Sequence, residues 1–334
     1  MSGGERYAAV DIGGTNTVIG VFDQENRLLV VRRFRTIKPR APLQTSEPIA
    51  YFDLLEREIG EALEACGGKG KLAAAGMGVP GKVDPLAGMA LGAVNLGWAD
   101  VPFAERMSQR LGVPVFIDND VRLYTLGEAC SGAARGFANV LCVTLGTGFA
   151  AGIIADGRIV RGGGLFAGEL GHDRVDGEDA PCACGRRGCL ETVASATGIV
   201  RLAEAQVRAG CSEGLARIAR ERRLTAHDVF LACEAGDAAA REVFGHVGTV
   251  LGRKLASAVF LLNPDVIVIG GGAARAGRYV LEPMRAVLEE HYAPLQPLPE
   301  LRLAALDDCA GLYGALHFAR YYARWGGEAT HRGL

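Results

Sequence analysis

Hydrophobic and polar positions along the chain alternate between the spacing of strands and the spacing of helices. Short apolar runs bounded by glycine or polar residues predict buried strands. These runs lie at residues 7–12, 17–22, 28–35, 72–79, 114–117, 139–144 and 265–269. Apolar residues at helical spacing predict one helix from Glu47 to Cys66 and a longer one from Asp237 to Leu262. Strands that alternate with helices in this way predict a protein of the α/β class.

Two glycine-containing turns have the same surroundings. Asp11-Ile12-Gly13-Gly14-Thr15 follows one strand, and Leu145-Gly146-Thr147-Gly148 follows another; an apolar strand and an acidic turn come after each. The repeated order predicts an internally duplicated chain. Backbone N–H groups and hydroxyls in such turns can bind phosphate, so we expect one phosphate-binding turn in each half. The alternative for the first turn is a plain hairpin, which Gly-Gly alone would satisfy.

Other nucleotide-binding motifs fit less well. Gly146-Thr147-Gly148 resembles part of a dinucleotide-binding fingerprint, but that fingerprint opens a helix, and residues 150–155 predict a strand. No Gly-Lys pair in the sequence is followed by Ser or Thr, so the Walker A motif is absent from it. Gly270-Gly271-Gly272, at the end of a strand, could equally admit a base or a sugar or simply turn a corner.

Acidic and amide side chains meet at Asp118-Asn119-Asp120, where a predicted strand ends and a predicted helix begins. Functional groups are common at this position in open α/β sheets, which favours a role in the active site. The alternative is an N-cap cluster, for which one Asp would suffice.

The segment from Glu169 to Glu191 carries a potential metal site. His172, Cys182, Cys184 and Cys189 are four ligands of the kind that form a closed tetrahedral zinc site. Four protein ligands leave no position for a catalytic water, so we expect this zinc to shape the loop that carries Glu169 and Glu191. The alternative, buried thiols beside an exposed histidine, is disfavoured by three cysteines within eight residues.

Composition narrows the function classes. A chain of 334 residues with 49% hydrophobic and 22% charged residues is typical of a globular protein with room for two domains. A net charge of −2 gives no general attraction to nucleic acid or to an anionic membrane. We found no apolar run long enough for a membrane span and no signal-peptide pattern at the N-terminus. The six cysteines outside the metal segment are expected to be reduced core thiols, and the protein is expected to be cytoplasmic.

Taken together, these motifs resemble the ROK group (repressors, open reading frames, kinases) of the actin/hexokinase-like ATPase superfamily, and within it the bacterial glucokinases. The two glycine turns, Gly270–Gly272 and above all the Glu169–Glu191 pattern carry the resemblance, and Asn95-Leu96-Gly97-Trp98 is similar to a glucokinase sugar loop. The resemblance implies a two-domain actin-like ATPase (ribonuclease H-like) fold with an interdomain cleft and a zinc-bound loop. It implies a small domain from residues 1–119 and 312–334 and a larger domain from residues 120–311.

The resemblance also implies an ATP-dependent glucose 6-kinase that needs Mg²⁺. Asp120 would be the general base. The sugar would be held by five residues, namely Asn95, Asn119, Glu169, His172 and Glu191. The nucleotide would be bound by three groups of residues, namely Asp11, Gly13, Gly14 and Thr15; Gly146, Thr147 and Gly148; and Gly270, Gly271 and Gly272. The expected assembly is a homodimer or a homotetramer.

The chain departs from the group at one position. The usual Asn-Asp-Ala-Asn around the general base is Asn119-Asp120-Val121-Arg122 here, so Arg122 replaces an asparagine. The identity of the sugar is therefore not fixed by the resemblance. Another hexose or an N-acetylhexosamine such as N-acetylmannosamine is an alternative substrate, and polyphosphate an alternative donor. A sugar-responsive repressor is disfavoured, because ten residues precede Asp11 and leave no room for a DNA-reading helix. A pseudokinase is disfavoured because Asp120 and both turns are present.

Overall fold

The structure is a computed structural model that describes residues 4–37, 45, 47–67, 71–292 and 297–325. Residues 326–334, at the end of the predicted small domain, lie outside the described residues. The chain divides into two compact units. The first comprises Met1–Ala138, Gly152–Ala167 and Asp308–Leu334, and the second comprises Asn139–Ala151 and Gly168–Asp307. The domain boundaries expected at 119/120 and 311/312 stay a prediction.

Strands and helices alternate in the described chain. The strands are β1 (Arg6–Ile12), β2 (Asn16–Asp23), β3 (Leu28–Arg35), β4 (Leu72–Val79), β5 (Lys82–Asp84), β6 (Met89–Ala93), β7 (Trp98–Val101), β8 (Val115–Asn119), β9 (Val140–Leu145), β10 (Phe149–Ala155), β11 (Arg158–Ile159), β12 (Val266–Gly270) and β13 (Glu300–Leu303). The helices are α1 (Ile49–Ala65), α2 (Phe103–Leu111), α3 (Asp120–Ser131), α4 (Ala196–Arg208), α5 (Glu213–Glu221), α6 (Ala226–Glu234), α7 (Ala238–Leu262), α8 (Arg278–Tyr292) and α9 (Ala310–Trp325). The predicted α/β class is confirmed.

The first sheet has the strand order β3-β2-β1-β4-β8. β1 is antiparallel to β2 and parallel to β4, and β4 is parallel to β8. In this register Asp11 pairs with Gly78, and Gly78 pairs with Asp118. The register therefore places Asp11 and the Asp118–Asp120 segment at the same edge of the sheet, on either side of a glycine.

The second sheet has the same order, β11-β10-β9-β12-β13. β9 and β12 are parallel, as are β12 and β13, while β10 is antiparallel to β11. Each strand thus has a counterpart in the first sheet, which agrees with the internal duplication predicted from the two glycine turns. Both glycine turns connect the first two strands of their sheet.

Helices α3 and α9 pack so closely that backbone touches backbone. A Cβ atom on Gly127 would overlap the carbonyl oxygen of Ala310, and a Cβ on Gly314 would overlap the carbonyl oxygen of Leu123. α9 also lies against the first sheet, where a Cβ on Gly76 would overlap the carbonyl oxygen of Ala315. Glycine at these points is required by the close approach and fixes the position of α3, which carries Asp120.

A small antiparallel sheet, β5-β6-β7, was not predicted. Its strands have only three to five residues, which is too short for the apolar/polar alternation that marks a strand in sequence. The sheet is stabilised by burial: Trp98 packs edge-on against Tyr51, and Phe103 packs against both Trp98 and Phe52.

The six cysteines outside the metal segment lie in varied environments. Cys142 and Cys233 are buried, and Cys66, Cys130 and Cys309 are partly buried. Cys211 is exposed, so the prediction of a core thiol is wrong for that residue. None of the helices among the described residues has the length and apolar character needed to cross a bilayer.

A pair of glycine substitutions tests the α3–α9 contact. Gly314→Ala should lower the free energy of unfolding by at least about 2 kcal/mol, because the new methyl group must push two backbones apart. Gly60→Ala, in helix α1, is the control: no atom lies within 4 Å of its added Cβ. Alanine should stabilise that helix by up to about 1 kcal/mol. Urea unfolding of both variants gives the comparison, and equal stability of the two would contradict the close packing.

Candidate functional site

In the first unit, two carboxylates face a space that glycines keep open. A Cβ atom on Gly78 would lie 3.2 Å from the Cα of Asp120 and 3.6 Å from Oδ1 of Asp11. A Cβ on Gly311, in the first turn of α9, would lie 2.5 Å from Oδ2 of Asp11. Strand β4 and helix α9 thus approach Asp11 with backbone alone. The arrangement brings the predicted base and the aspartate of the first phosphate turn close together.

The environment of Asp11 raises its pKa. Burial is the largest cause, the charges of Asp120 and Asp308 add to it, and Arg33 opposes it, which brings the pKa of Asp11 to about 7. Two like charges in a partly buried site resist simultaneous ionisation. A cation or a phosphate-bound metal would remove this repulsion, which is why the pair suits a metal–nucleotide complex.

Asp120 is the first residue of α3, and Asn119 is its N-cap. Asn119 Oδ1 accepts hydrogen bonds from the backbone N–H groups of Val121 (3.0 Å) and Arg122 (3.1 Å), and its Nδ2 donates to the carbonyl of Gly81 (3.0 Å). Asp120 Oδ1 also accepts a hydrogen bond from the backbone N–H of Val121 (3.0 Å). The two interpretations of this segment are therefore compatible, because Asn119 is the N-cap and Asp120 is the first residue of the helix.

Asn95 lies in a short 3₁₀ turn, Val94–Leu96, and is exposed. Gly97 ends this turn in the left-handed conformation with φ 65°. The buried Trp98 then anchors the turn through its contact with Tyr51. The predicted sugar loop thus carries the exposed amide of Asn95 and is held in place by the buried ring of Trp98.

The first glycine turn is open toward solvent and held from beneath. Gly14 has no atom within 4 Å of an added Cβ, and Thr15 is exposed. Below the turn, Thr36 donates from Oγ1 to the carbonyl of Gly13 (2.8 Å), and its backbone N–H donates to the carbonyl of Thr15 (3.0 Å). The Thr36 hydroxyl also bonds to the buried hydroxyl of Thr17 (3.0 Å). Sequence reasoning missed Thr36, since it is distant in sequence from the turn.

In the second unit, the other glycine turn is held by the N-terminus of α4. The backbone N–H of Ala196 donates to the carbonyl of Gly146 (2.8 Å), and Thr197 Oγ1 donates to the carbonyl of Thr147 (3.1 Å). Gly271, with φ 85°, lies against the end of β9, where an added Cβ would be 2.6 Å from the carbonyl carbon of Leu145. The structure therefore brings the predicted residues 146–148 and 270–272 together.

The predicted metal ligands also come together in the second unit. The ligand atoms of His172, Cys182, Cys184 and Cys189 all lie within 4.8 Å of one another. Cys182 Sγ lies 3.8 Å from His172 Nδ1, and Cys184 Sγ lies 3.7 Å from Cys189 Sγ. Ligands about 2.3 Å from a tetrahedral zinc are separated by about 3.8 Å, so the donor set and its spacing fit this metal. The backbone N–H of Arg186 is the largest cause of a lowered pKa of Cys184, about 6, which favours the thiolate that a metal binds.

The two glutamates that bracket the cluster have different environments. Glu191 accepts a hydrogen bond at Oε2 from the backbone N–H of Phe149 (3.0 Å), and its Oε1 lies 3.6 Å from Cys182 Sγ. Glu191 thus connects the metal cluster to the second glycine turn, a contact that the sequence did not predict. Glu169 has 49% of its side chain exposed, and its Oε2 lies 3.7 Å from Nε2 of His172. A carboxylate on the far side of a ligating imidazole orients the ring.

Metal analysis tests the cluster. We expect about one zinc ion per chain in purified protein, and Cys189→Ser should lose most of it, because a hydroxyl is a poor zinc ligand. Cys211→Ser is the matched control, since Cys211 is exposed and lies outside the cluster. Elemental analysis after dialysis measures both, and full zinc content in the Cys189 variant would contradict the assignment.

The pKa of Asp11 predicts a pH-dependent stability. Because the pKa of Asp11 in the folded state, about 7, exceeds the ordinary aspartate value of 3.8, the folded state is favoured when Asp11 is protonated. Its contribution is full below about pH 4 and is lost as the pH rises to about 7. Asp11→Asn should therefore become more stable than the wild type across this range, by on the order of 1–3 kcal/mol. Denaturant unfolding without nucleotide or Mg²⁺ measures the difference, which should be small at pH 4; a pH-independent difference would argue against the raised pKa.

Comparison with known proteins places this geometry in a family. The model of the ROK family matches residues 7–321. A glucokinase of Halalkalibacterium halodurans is 38% identical over 311 residues, which cover 92% of this chain and 93% of the relative. A xylose repressor of Caldicellulosiruptor bescii is 31% identical over 239 residues, but these cover only 59% of that protein.

A solved structure agrees over nearly the whole chain. The ROK family glucokinase of Streptomyces griseus, in complex with glucose and AMPPNP, has a TM-score of 0.79 and 31% sequence identity. The match covers 94% of this chain and 99% of the glucokinase. The fold is thus that of the actin-like sugar kinases, as the sequence predicted. This chain belongs to the ROK family.

Proposed function

We propose that this protein is a glucokinase, which transfers a phosphoryl group from ATP to the 6-hydroxyl of glucose. The observation that carries the proposal is Asp120, a carboxylate at a helix N-terminus beside the aspartate of a phosphate turn. The similarity to glucokinases along almost the entire chain supports the choice of glucose.

Asp120 would act as the general base. Phosphoryl transfer depends mainly on positioning and on neutralising charge, with one carboxylate accepting the proton of the attacking hydroxyl. Asp120 lies in the first turn of α3, where the helix dipole favours a negative charge, and Asn119 caps the turn from which it projects. The glycine at residue 78 leaves the space in which a hydroxyl could reach it.

The remaining hydroxyls of the sugar would be held by Asn95, Asn119, Glu169, His172 and Glu191. A sugar needs several fixed donors and acceptors, because a mispaired hydroxyl leaves a buried polar group unsatisfied. The exposure of the Asn95 and Glu169 side chains to solvent supports this role. Glu191 and His172 are fixed by their contacts with the metal cluster, so the zinc would orient these groups without taking part in the chemistry.

The nucleotide would be bound by the two glycine turns and by Gly270–Gly272. Mg²⁺, when bound, supplies positive charge that neutralises the phosphates, and Asp11 is the carboxylate that fits this role. Its half-buried position beside Asp120 makes a nearby cation favourable. The backbone of the first turn, which is open above Gly14, offers N–H groups to a phosphate.

A coupled assay of ADP release tests the proposal. With Mg-ATP we expect kcat/KM for glucose to exceed that for mannose, fructose, N-acetylglucosamine and N-acetylmannosamine by about 10-fold or more. A preference for an N-acetylated sugar would replace glucose as the substrate and keep the kinase. Activity with polyphosphate in place of ATP would change the donor. No turnover with any sugar or donor would refute the function.

Asp120→Asn provides the control within the site. Turnover should fall by about 10²-fold or more, because the amide cannot accept the proton, while calorimetry should show glucose binding within a fewfold of the wild type. The amide is nearly isosteric, and the helix cap of Asn119 is unchanged. Retained turnover would remove Asp120 from the role of base.

A further inference from the structure

A buried ionic cluster in the first unit is centred on Asp118, two residues before Asp120. Asp118 is fully buried and accepts hydrogen bonds from two arginines, at Oδ1 from Nη1 of Arg122 (2.9 Å) and at Oδ2 from Nε of Arg161 (2.9 Å). Arg122 is itself 4% exposed. Its other terminal nitrogen, Nη2, donates to the carbonyl oxygen of Leu165 (2.5 Å). One guanidinium therefore joins the strand end before Asp120 to a distant loop.

That loop, residues 162–167, requires an anchor. It contains three successive glycines, and both Gly162 (φ 72°) and Leu165 (φ 63°) have left-handed backbone. For leucine this conformation costs about 1 kcal/mol or more and persists only when the surroundings enforce it. The loop's own bonds are few, from the Leu165 N–H to the carbonyl of Gly162 (3.2 Å) and from the Ala167 N–H to the carbonyl of Arg161 (3.1 Å).

The charges of the cluster show that Arg122 is not needed to neutralise Asp118. Two arginines face one carboxylate, so Arg161 alone could balance Asp118. Burial of the additional cation is costly, because a buried charge is tolerated only when it is paired and hydrogen-bonded. What Arg122 alone supplies is the bond to the carbonyl of Leu165.

We infer that Arg122 is a positioning residue for sugar binding, and that it acts through the loop at 162–167. The inference rests on the proposed function. Arg122 lies in the first turn of α3, two residues after the proposed base, and the loop leads directly into Gly168 and Glu169. By bonding Asp118 and Leu165 together, Arg122 fixes the chain that enters Glu169 relative to the turn that carries Asp120. This role would explain why Arg122 stands where the usual ROK sequence has asparagine.

The test compares Arg122→Met, Arg122→Lys and the wild type. Methionine removes the bond to Leu165 and leaves Asp118 paired with Arg161, so the variant should fold. We expect its KM for glucose to rise by about 10-fold and its KM for ATP to change by less than about twofold, since the phosphate turns are untouched. Lysine keeps the positive charge but cannot bond Asp118 and Leu165 at once as the guanidinium does. The KM of Arg122→Lys for glucose should therefore lie between those of the wild type and Arg122→Met. Arg158→Met, at an exposed position on β11, is the matched control and should behave as the wild type.

Hydrogen exchange gives a readout that is independent of activity. The amides of Leu165 and Ala167 should exchange about 10-fold faster in Arg122→Met than in the wild type, because the loop loses its anchor. A lower kcat with an unchanged KM for glucose would indicate a merely structural role and would contradict the inference. Unchanged exchange rates at Leu165 and Ala167 would also contradict it. If the wild type phosphorylates no sugar, the proposed function fails, and the exchange rates alone decide whether Arg122 holds the loop.

Discussion

Two carboxylates that come close together at the carboxyl ends of parallel strands in the first sheet set the central constraint of this protein. Asp11 and Asp120 repel each other when both are ionised, and burial adds to the cost. Close backbone packing accompanies the pair: glycine occurs where β4 and α9 approach Asp11, and an added Cβ at Gly78 or Gly311 would lie 3.6 Å or 2.5 Å from its carboxylate. The raised pKa of Asp11 supports the proposal that a cation and a phosphate bind here.

Close packing at glycines also holds helix α3, which carries the proposed base. α3 contacts α9 through Gly127 and Gly314, so the position of Asp120 follows from two backbones in contact. An added Cβ at Gly127 or Gly314 would overlap a carbonyl oxygen of the facing helix, so a larger residue would have to move the helix. The position of the proposed base therefore depends on glycines that the close helix packing also requires.

In the second unit, the candidate metal site lies in a segment with few apolar side chains. The segment from Glu169 to Glu191 has 3₁₀ turns and isolated bridges, so a metal held by the four candidate ligands would supply the order that apolar packing supplies elsewhere. Glu191 transmits that order to the second glycine turn through the backbone N–H of Phe149. A single structural element thereby fixes both a proposed sugar ligand and a proposed phosphate turn.

The sequence by itself determined the features that depend on local spacing. The α/β class, the two glycine turns and the cysteine–histidine ligand set are encoded in residues a few positions apart, and the fold and ROK membership are confirmed. Tertiary structure alone decided the contacts between distant residues: Thr36 under the first turn, Gly311 against Asp11, and Arg122 bonded to Leu165. Strand register and helix packing set these contacts, and neither is visible in local periodicity. Arg122 shows the difference, since the sequence revealed only an unusual residue, and the buried carboxylate and the strained loop explained its place.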